Sequence, residues 1–318
     1  MPSPVIYALV VVIWGTTWYA IKFQLGVVAP EISLVYRFAL AAVCVFAYAH
    51  ATGSSLRLSW RDHRFVAVQG ATLFCLNYWM TYLSTQHLTS GLVAVLFTSI
   101  IFFNLVNGRV IFGTAIEGRV LAAAAAGMLG VALLFLPELQ AALGDGSVAQ
   151  GALLALAATY VASLGNMAAL RNTNRGLPVV TVNAYGMAYG TLGLAVLAAI
   201  RGMPLDFDPR WPYVVSLLYL SLAGTALAFG LYLALLKRIG AARAAYTSVL
   251  FPVVALAVST LFEGYRWSLP AILGLAVLVA GNALALGGAS GRAARAQRVE
   301  QRPGKWLPEL DSNQRPAD

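Results

Sequence analysis

Runs of about 20 apolar residues recur along the whole sequence, and they limit the fold more than any other feature. A helix needs about 20 residues to cross the hydrocarbon core of a bilayer, because each residue advances it by about 1.5 Å. Only 10% of the 318 residues are charged, against about 25% in an average soluble domain. The sequence therefore predicts an all-α polytopic membrane protein with ten transmembrane helices. The predicted spans are 5–23, 30–52, 65–84, 88–111, 119–136, 148–170, 178–200, 211–236, 241–262 and 268–288.

The basic residues are divided unevenly between the two sides of the predicted membrane. If the N-terminus is cytoplasmic, 16 of the 21 Lys and Arg residues fall on the cytoplasmic side and 4 fall outside, while Arg37 lies within a span. Such a bias sets the orientation of membrane proteins. The sequence therefore predicts a multi-pass protein of the cell (inner) membrane with cytoplasmic N- and C-termini.

Short similarities link the two halves of the chain in the same order. Residues 95–98 (Val-Leu-Phe-Thr) resemble 249–252 (Val-Leu-Phe-Pro), and 130–133 (Gly-Val-Ala-Leu) resemble 281–284 (Gly-Asn-Ala-Leu). Five helices followed by five more must insert with opposite orientations, so we expect two inverted repeats with a substrate path at their interface. The alternative is chance similarity between segments rich in Leu, Ala and Gly. The predicted units are a first five-helix repeat, 1–137; a central outer loop, 138–147; a second five-helix repeat, 148–290; and a polar, disordered cytoplasmic tail, 291–318.

Few residues offer the chemistry of an enzyme or of a metal site. No acidic residue lies in the middle of a span, the histidines lie at span ends or in loops, and neither HExxH nor GxSxG occurs. Cys44 and Cys75 lie inside apolar spans, which is typical of small buried residues. The basic residues are scattered through short loops, so they give no indication of nucleic-acid binding. We therefore predict no enzyme activity, no catalytic residue, no metal and no cofactor; the expected partners are the lipid bilayer and a small-molecule substrate.

The first span changes character halfway along its length. At 3.6 residues per turn, Trp14, Thr17, Trp18 and Ile21 share one face of the helix. Such a polar face is costly against lipid, so we expect it to turn toward a cavity or toward other helices. The alternative is that the threonines bond to their own helix and that the tryptophans are interface anchors. Trp14 lies too near the middle of the span to be an anchor.

Polar and aromatic residues are concentrated in spans 1–4 and 6–9, the distribution expected of a central cavity bounded by eight helices. Spans 5 and 10 consist almost entirely of Ala, Leu, Val and Gly, which favours a lipid-facing scaffold or a homodimer interface. Tyr82 alone would also fit an aromatic belt. The residues predicted to line the cavity are Trp14, Thr17, Trp18, Arg37, Asn77, Tyr78, Tyr82, Thr98, Ser163, Asn166, Tyr232, Tyr246 and Ser248.

Arg37 is the one cation clearly within a predicted span, and it allows two interpretations. It either extends to the outer headgroups, or it faces the bundle and meets Glu31, Glu263, helix-end carbonyls or an anionic substrate group. Glu31 and Glu263 lie at the outer ends of their helices. Any proton coupling would have to run through them or through the substrate, so they are the candidates for gating or coupling.

The chain resembles EamA-type members of the drug/metabolite transporter superfamily over residues 5–288. The resemblance rests on Trp14-Gly15 in span 1, Arg37-Phe38 in span 2, the Gly-containing ends of spans 5 and 10, and two halves of five helices. It implies cytoplasmic termini, a cavity formed by helices 1–4 and 6–9, and export of amino acids or other small metabolites. Members often carry a glutamate between helices 4 and 5 and another between 9 and 10. Glu263 stands two residues before the second position, and the first half has no obvious counterpart.

The expected function is that of a secondary transporter, an exporter or facilitator, which moves small amphipathic metabolites such as amino acids by alternating access. Arg37 favours a substrate with a carboxylate if it faces inward. One alternative is efflux of lipophilic drugs, although a cationic drug would need a carboxylate that the spans lack. The other is a membrane scaffold or receptor, which would need no polar cavity.

Overall fold

The structure is a computed structural model that describes residues 1–116, 118–141, 146–244, 247–281 and 283–284. Every regular element in these ranges is helical. The helices are α1 Ser3–Lys22; α2 Pro30–Ala51; α3, made of Trp60–Gln69, Gly70–Leu76 and Asn77–Thr85; α4, made of Ser90–Phe97 and Ile100–Phe112; α5 Gly118–Ala141; α6 Gly146–Asn174; α7 Val179–Ile200; α8, made of Trp211–Leu218, Tyr219–Leu227 and Ala228–Ala244; α9 Thr247–Phe262; and α10 Leu269–Gly281.

Most of these helices have the length or the composition of membrane spans. Six stretches in the described residues are long and apolar enough to cross a bilayer: Ser3–Lys22, Pro30–Ala51, Ser90–Phe112, Gly146–Asn174, Val179–Ile200 and Trp211–Tyr232. Three shorter apolar helices are Gly118–Leu134, Leu250–Phe262 and Leu269–Gly281. The prediction of an all-helical polytopic membrane protein is therefore confirmed for the described residues. The count of ten crossings stays a prediction.

Several helices are longer than their apolar spans. α5 continues past Pro137 to Ala141 and α6 begins at Gly146, so helix occupies both ends of the stretch 138–147; its assignment as a central outer loop between two repeats stays a prediction. α8 continues to Ala244, so the predicted start of the ninth span at 241 is wrong. Hydropathy marks only the part of a helix that lies in hydrocarbon, whereas the backbone can remain helical where side chains reach headgroups and water. The predicted tail, 291–318, lies outside the described residues.

Two helices carry an unusual middle segment that the sequence did not predict. Gly70–Leu76 in α3 and Tyr219–Leu227 in α8 are π-helical, with α-helix on both sides. α4 is interrupted at Thr98–Ser99, between Ser90–Phe97 and Ile100–Phe112. Pro252 lies inside α9. Because π-helical turns are rare and frequently mark functional sites, these positions single out α3 and α8.

The loops lie at two ends of the helix bundle. At one end, here called the basic end, Arg238 Nη1 donates to Met1 O over 2.5 Å and Arg171 pairs with Asp62 at 3.2 Å, which joins the end of α8 to the start of α1 and the end of α6 to the start of α3. At the other end, here called the opposite end, Tyr36 in α2 donates to Asp206 O in the loop before α8. With the loops divided between these two ends, successive helices run in opposite directions.

The helices pack in pairs around the centre of the bundle. α2 packs against α7, α1 against α8 and α9, and α6 against α3 and α4. The π-helical segment of α3 lies on α7, and that of α8 lies on α2. α4 contacts α9 mainly along Ser90–Phe97. A core between α2, α3, α7 and α8 contains the fully buried Phe38, Tyr82, Met187, Leu194 and Leu220.

Glycines bring two of these helix pairs into close contact. In α5, a Cβ on Gly130 would lie 2.6 Å from Leu278 N and 2.7 Å from Gly274 O of α10. In α3, a Cβ on Gly70 would lie 2.5 Å from Gly186 O of α7. Small residues allow helix backbones to approach in this way, and the gain in van der Waals contact stabilises helix pairs in lipid. The Gly-rich faces of α5 and α10 are thus used within one chain.

Candidate functional site

A cavity of about 330 Å³ lies in the middle of the bundle. It is the candidate substrate site, here called the central cavity, because it is enclosed by helices from both halves of the chain and is mainly apolar with a few polar groups. No residue of α5, α7 or α10 is among its lining residues in the described chain. The lining residues are Trp14, Thr17, Trp18, Ile21, Arg37, Leu73, Asn77, Tyr78, Thr81, Phe97, Ile100, Ala162, Asn166, Gly224, Phe229 and Phe251.

The face of α1 that the sequence singled out lies against this cavity. Trp18 packs between Phe97 and Phe251, with ring centroids 5.4 and 6.2 Å away. Trp14 packs at 6.0 Å from Phe229 and at 5.2 Å from Tyr232.

The hydroxyl groups of α1 bond within or close to their own helix. Thr17 Oγ1 donates to Trp14 O over 2.6 Å, and Thr16 Oγ1 donates to Val12 O over 2.7 Å. Thr16 also bonds the hydroxyl of Tyr219 in α8. The threonines thus satisfy their hydroxyls locally, as the alternative interpretation expected, while the indoles form the cavity wall and are not interface anchors.

Arg37 is a buried cation on the cavity wall. Its side chain is 2% exposed, so it does not extend to the headgroups. The guanidinium lies 4.7 Å from the ring centroid of Tyr78 and 5.3 Å from that of Phe38, and Nη1 donates to Tyr82 OH over 3.4 Å. Nε has no hydrogen-bond partner among the described residues, and none of the ion pairs in the described part of the chain includes Arg37.

Aromatic rings attract a cation, but they leave its N–H donors unsatisfied. A buried charge without a carboxylate partner is costly, so natural proteins seldom retain one without a role. Arg37 is the only cationic residue among those that line the central cavity in the described chain, and its Nε is left without an acceptor there.

The two acids that the sequence offered as partners for Arg37 are engaged elsewhere, at the opposite end. Glu31 Oε1 accepts from Trp79 Nε1 over 2.7 Å and pairs with Arg201 at 3.0 Å. This ties the start of α2 to α3 and to the end of α7. In the loop that follows α7, the guanidinium of Arg210 bonds both carboxylate oxygens of Asp208 and holds the pKa of that carboxyl below its usual range.

Glu263 ties together a second group of helices at the opposite end. Its carboxylate accepts from Ser90 N over 3.0 Å, bonds the hydroxyls of Ser90 and Ser259, and pairs with Lys22 at 3.3 Å. Because Lys22 ends α1, Ser90 begins α4 and Ser259 is in α9, one carboxylate joins three helices. The side chain of Glu263 is 8% exposed.

Asparagines connect α4 to α6 on the side of the cavity nearer the basic end. Asn166 lines the cavity and donates to Asn104 Oδ1 over 3.3 Å. One turn later in α4, Asn107 donates to the Oγ of Ser163, which lies one turn earlier in α6, over 3.0 Å. Ser163 is buried and lies behind the wall instead of on it.

The other predicted site residues are placed differently. Asn77 and Tyr78 line the cavity with Thr81, whose hydroxyl donates to Asn77 O. Tyr82 is fully buried behind Arg37, and Thr98 is buried with its hydroxyl bonded to Val95 O. These two, with Ser163 and Tyr232, are not lining residues. Tyr246 lies outside the described residues, and so does the side chain of Ser248.

Sequence reasoning missed the apolar half of the wall. Phe97, Phe229 and Phe251 surround the tryptophans of α1, and Gly224 is in the π-helical segment of α8. An apolar residue that faces a cavity looks the same in a sequence as one that faces lipid. The repeated Val-Leu-Phe of residues 95–97 and 249–251 was the only signal, because its two phenylalanines both contact Trp18.

The chain is similar to a family of membrane proteins and to several individual relatives. The model of the EamA-like transporter family matches residues 3–136 and 149–287. A probable amino-acid metabolite efflux pump of Escherichia coli (strain K12) is 26% identical over 295 residues, which cover 87% of this chain and 92% of that protein. Its counterpart in Salmonella typhimurium (strain LT2) is 27% identical over 284 residues, covering 86% and 91%.

Two further likenesses cover a similar share of the chain. The uncharacterized inner membrane transporter YedA of Escherichia coli (strain K12) is 26% identical over 273 residues, 84% of this chain and 85% of that protein. A solved crystal structure superimposes with a TM-score of 0.63 at 18% identity, covering 89% of this chain and 96% of the other. The last likeness concerns the fold alone.

Proposed function

The chain belongs to the EamA-like transporter family, as the sequence resemblance indicated, and we propose that it moves small amphipathic metabolites that carry a carboxylate. It is a membrane transporter and not an enzyme. Amino acids are the first substrates to test, because two relatives are described as probable amino-acid metabolite efflux pumps. The name of a third relative favours an inner-membrane location.

One observation carries this proposal: the guanidinium of Arg37 is buried on the cavity wall with an unsatisfied Nε and no acidic partner among the described residues. A carboxylate would supply the missing counter-charge and accept from the free N–H groups. The aromatic rings of Trp14, Trp18 and Phe251 would enclose the apolar part of the same molecule. The cavity thus offers one cationic anchor in a largely aromatic chamber.

Alternating access by two inverted repeats of five helices is the proposed mechanism. Support comes from the packing, in which several contacts have a counterpart five helices along the chain: α1 on α8 and α9 corresponds to α6 on α3 and α4. The π-helical segments of α3 and α8 are counterparts too. The family model matches two stretches that coincide with the proposed halves. Inverted repeats place the substrate at their interface, where this cavity lies.

We infer that the described conformation is open toward the basic end. The carboxylate of Glu263 joins α1, α4 and α9 at the opposite end, whereas among the described residues α4 contacts α9 mainly along Ser90–Phe97 and little along Ile100–Phe112. With the N-terminus in the cytoplasm, the cavity would then face the cytoplasm. Glu31 and Glu263 would be the links that break when the opposite end opens, which is the gating role proposed for them.

Counterflow in proteoliposomes tests the proposed function directly. Vesicles loaded with unlabelled phenylalanine, leucine, alanine or lysine should accumulate the labelled counterpart of the accepted substrates, and Trp14→Ala should lower that uptake while leaving the amount of folded protein unchanged. Uptake that is independent of a pH gradient would agree with a facilitator without a mid-membrane acid. A scaffold or receptor would show no uptake in any vesicle, and uptake of lipophilic cations alone would favour drug efflux.

A further inference from the structure

A second cavity of about 300 Å³ opens between α2, α7 and α8, in the half of the bundle nearer the basic end. It is here called the side cleft. Apolar residues form most of its wall, among them Val45 and Met187. Tyr48 and Leu227, also on the wall, are 54% and 52% exposed. Because these two lie on apolar spans, the mouth of the side cleft faces the lipid.

Small residues leave a groove on α8 that none of the described helices fills. Ala226 and Gly230 lie one turn apart on its wall, and a Cβ on Gly230 would have nothing within 4 Å. Grooves of this kind usually allow a neighbouring helix to approach. In α7 the corresponding groove is filled, since a Cβ on Gly190 would lie 2.5 Å from Phe74 Cβ. The groove on α8 is therefore left open by the part of the chain that the structure describes.

Phe229 is the residue that the walls of the side cleft and the central cavity share. Its ring packs edge-on against Trp14 at 6.0 Å. Phe229 is the second residue after the π-helical segment Tyr219–Leu227. A π-helical turn disturbs the regular ladder of backbone hydrogen bonds, so a change in that segment would rotate the residues that follow it. A rotation of Phe229 would join the two cavities.

The wall of the side cleft also carries polar groups that cannot form hydrogen bonds with a lipid acyl chain. Asn183 Oδ1 accepts from Gln69 Nε2 over 3.2 Å, so the amide NH₂ of Asn183 is the group that it can offer to a ligand. The thiol of Cys44 and the side chain of Tyr48 are on the same wall. A polar donor in an apolar site favours an occupant with its own acceptor over plain hydrocarbon.

We infer that the side cleft is a second binding site, for amphipathic carboxylates dissolved in the bilayer, and that it is a lateral entrance to the central cavity with Phe229 as the gate. The apolar body of the ligand would lie along Ala226 and Gly230, and its carboxylate would pass Phe229 toward Arg37. The passage of the ligand from the side cleft to Arg37 rests on the proposed function. Occupation of the side cleft itself is independent of transport.

Occupation is tested by the alkylation rate of Cys44 in proteoliposomes. Cys75, the only other cysteine, is buried, so Cys75→Ala leaves a single thiol on the wall of the side cleft. With N-ethylmaleimide as reagent, 4-phenylbutyrate should slow the reaction several-fold, whereas acetate, which has the charge without the apolar body, should not. A lipid-facing thiol made by Val43→Cys in a background of Cys44→Ala and Cys75→Ala is the control, because Val43 is 65% exposed.

Gly230→Leu should fill the side cleft without a steric clash, and Gly118→Leu is the matched control at another helical position with open space around its Cβ. Gly230→Leu should slow alkylation of Cys44 and lower counterflow of phenylalanine by about tenfold, with alanine affected less. Equal slowing of Cys44 and Val43→Cys by phenylbutyrate would indicate partition into the lipid alone and would overturn the inference. The inference would also be overturned if Gly230→Leu had the wild-type alkylation rate of Cys44 and the wild-type rate of transport.

The two proposals fail separately. If Cys44 is protected but the protein transports none of the test substrates, the binding site in the side cleft is supported and the proposed function is contradicted. If the protein transports the test substrates but Cys44 is not protected, the proposed function is supported and the lateral entrance is contradicted.

Discussion

At the scale of single residues, Arg37 and Arg171 show two ways in which this protein uses a buried or half-buried guanidinium. Arg171 pairs with Asp62 at 3.2 Å and lies 3.6 Å above the ring of Phe65, so it joins α6 to α3. Arg37 has aromatic neighbours but no acidic partner among the described residues. The ion pair of Arg171 therefore contributes to stability, whereas the buried, unpaired guanidinium of Arg37 lowers stability and is available to bind a ligand.

This difference predicts opposite effects of the same substitution. Arg37→Met should leave the thermal unfolding temperature in detergent unchanged or raise it, because the substitution removes a desolvated charge and keeps an apolar chain against Tyr78. Arg171→Met should lower the unfolding temperature, because Asp62 loses the closer of its two ion-pair partners. A clear loss of stability in Arg37→Met would show that the guanidinium holds the helices together and would weaken the case for a binding role.

Glu263 belongs to the same scale, because one carboxylate receives donors from two helices and an ion pair from a third. Glu263→Gln replaces an acceptor oxygen by an NH₂ group that would face the hydroxyl and amide donors of Ser90 and Ser259. Leaving buried partners unsatisfied costs about 1–3 kcal/mol. We expect lower thermal stability and a larger share of molecules open at the opposite end, measured by the accessibility of a thiol introduced by Leu92→Cys.

Lys22→Met is the control for Glu263→Gln. The side chain of Lys22 is 32% exposed, and such ion pairs contribute about 1 kcal/mol or less. If Lys22→Met destabilises the protein as strongly as Glu263→Gln, the charge and not the hydrogen bonds holds this end together.

At the scale of helices, the Gly-mediated contact of α5 with α10 gives the sharpest prediction. Gly130→Ala should destabilise the protein by about 1–3 kcal/mol, because the added methyl would lie 2.6 Å from Leu278 N and the helices would have to separate. Gly118→Ala, in the same helix, places its methyl in open space. Chemical unfolding should therefore give a lower free energy of unfolding for Gly130→Ala than for Gly118→Ala. Equal values would mean that α5 and α10 are not in contact at Gly130.

The helices also show which features a single sequence can predict. Apolar length indicated where most helices lie, and the i, i+3, i+4, i+7 pattern of α1 indicated which face turns inward. The π-helical segments of α3 and α8 and the interruption of α4 at Thr98–Ser99 were not predicted. One extra residue in a helical turn does not change the hydropathy of a span, so only packing against α7 and α2 reveals it.

Comparison of α3 with α8 adds to the case for two equivalent halves. Trp60 and Trp211 are the first residues of these helices, and they are 79% and 77% exposed. Exposed tryptophans are favoured at the membrane interface. In inverted repeats, the two would anchor α3 at the basic end and α8 at the opposite end.

At the scale of the whole molecule, the orientation in the membrane is the first open prediction. Single-cysteine variants Arg57→Cys, in the loop between α2 and α3, and Leu205→Cys, in the loop between α7 and α8, should be made in a background of Cys44→Ala and Cys75→Ala. A membrane-impermeant maleimide should label Leu205→Cys in intact cells and Arg57→Cys only after permeabilisation. The reverse pattern would contradict cytoplasmic termini and the proposed direction of the open cavity.

A homodimer through α5 and α10 also stays a prediction. The glycines of these helices already pack against each other within one chain. A second copy would therefore have to use the outward faces, where Leu129 of α5 is 55% exposed and Ile272 and Leu273 of α10 are each 52% exposed. An apolar surface of this kind is also what a lipid-facing scaffold presents, the other interpretation of these two spans.

The central claim is that the protein transports carboxylates through a cavity in which Arg37 binds the carboxyl group. The most direct measurement compares counterflow of phenylalanine with that of phenylalaninamide, which keeps the ring and the amine but lacks the carboxylate, in the wild type and in Arg37→Met. We predict that the wild type prefers phenylalanine by tenfold or more and that Arg37→Met loses this preference. A preference that is unchanged in Arg37→Met would contradict the account.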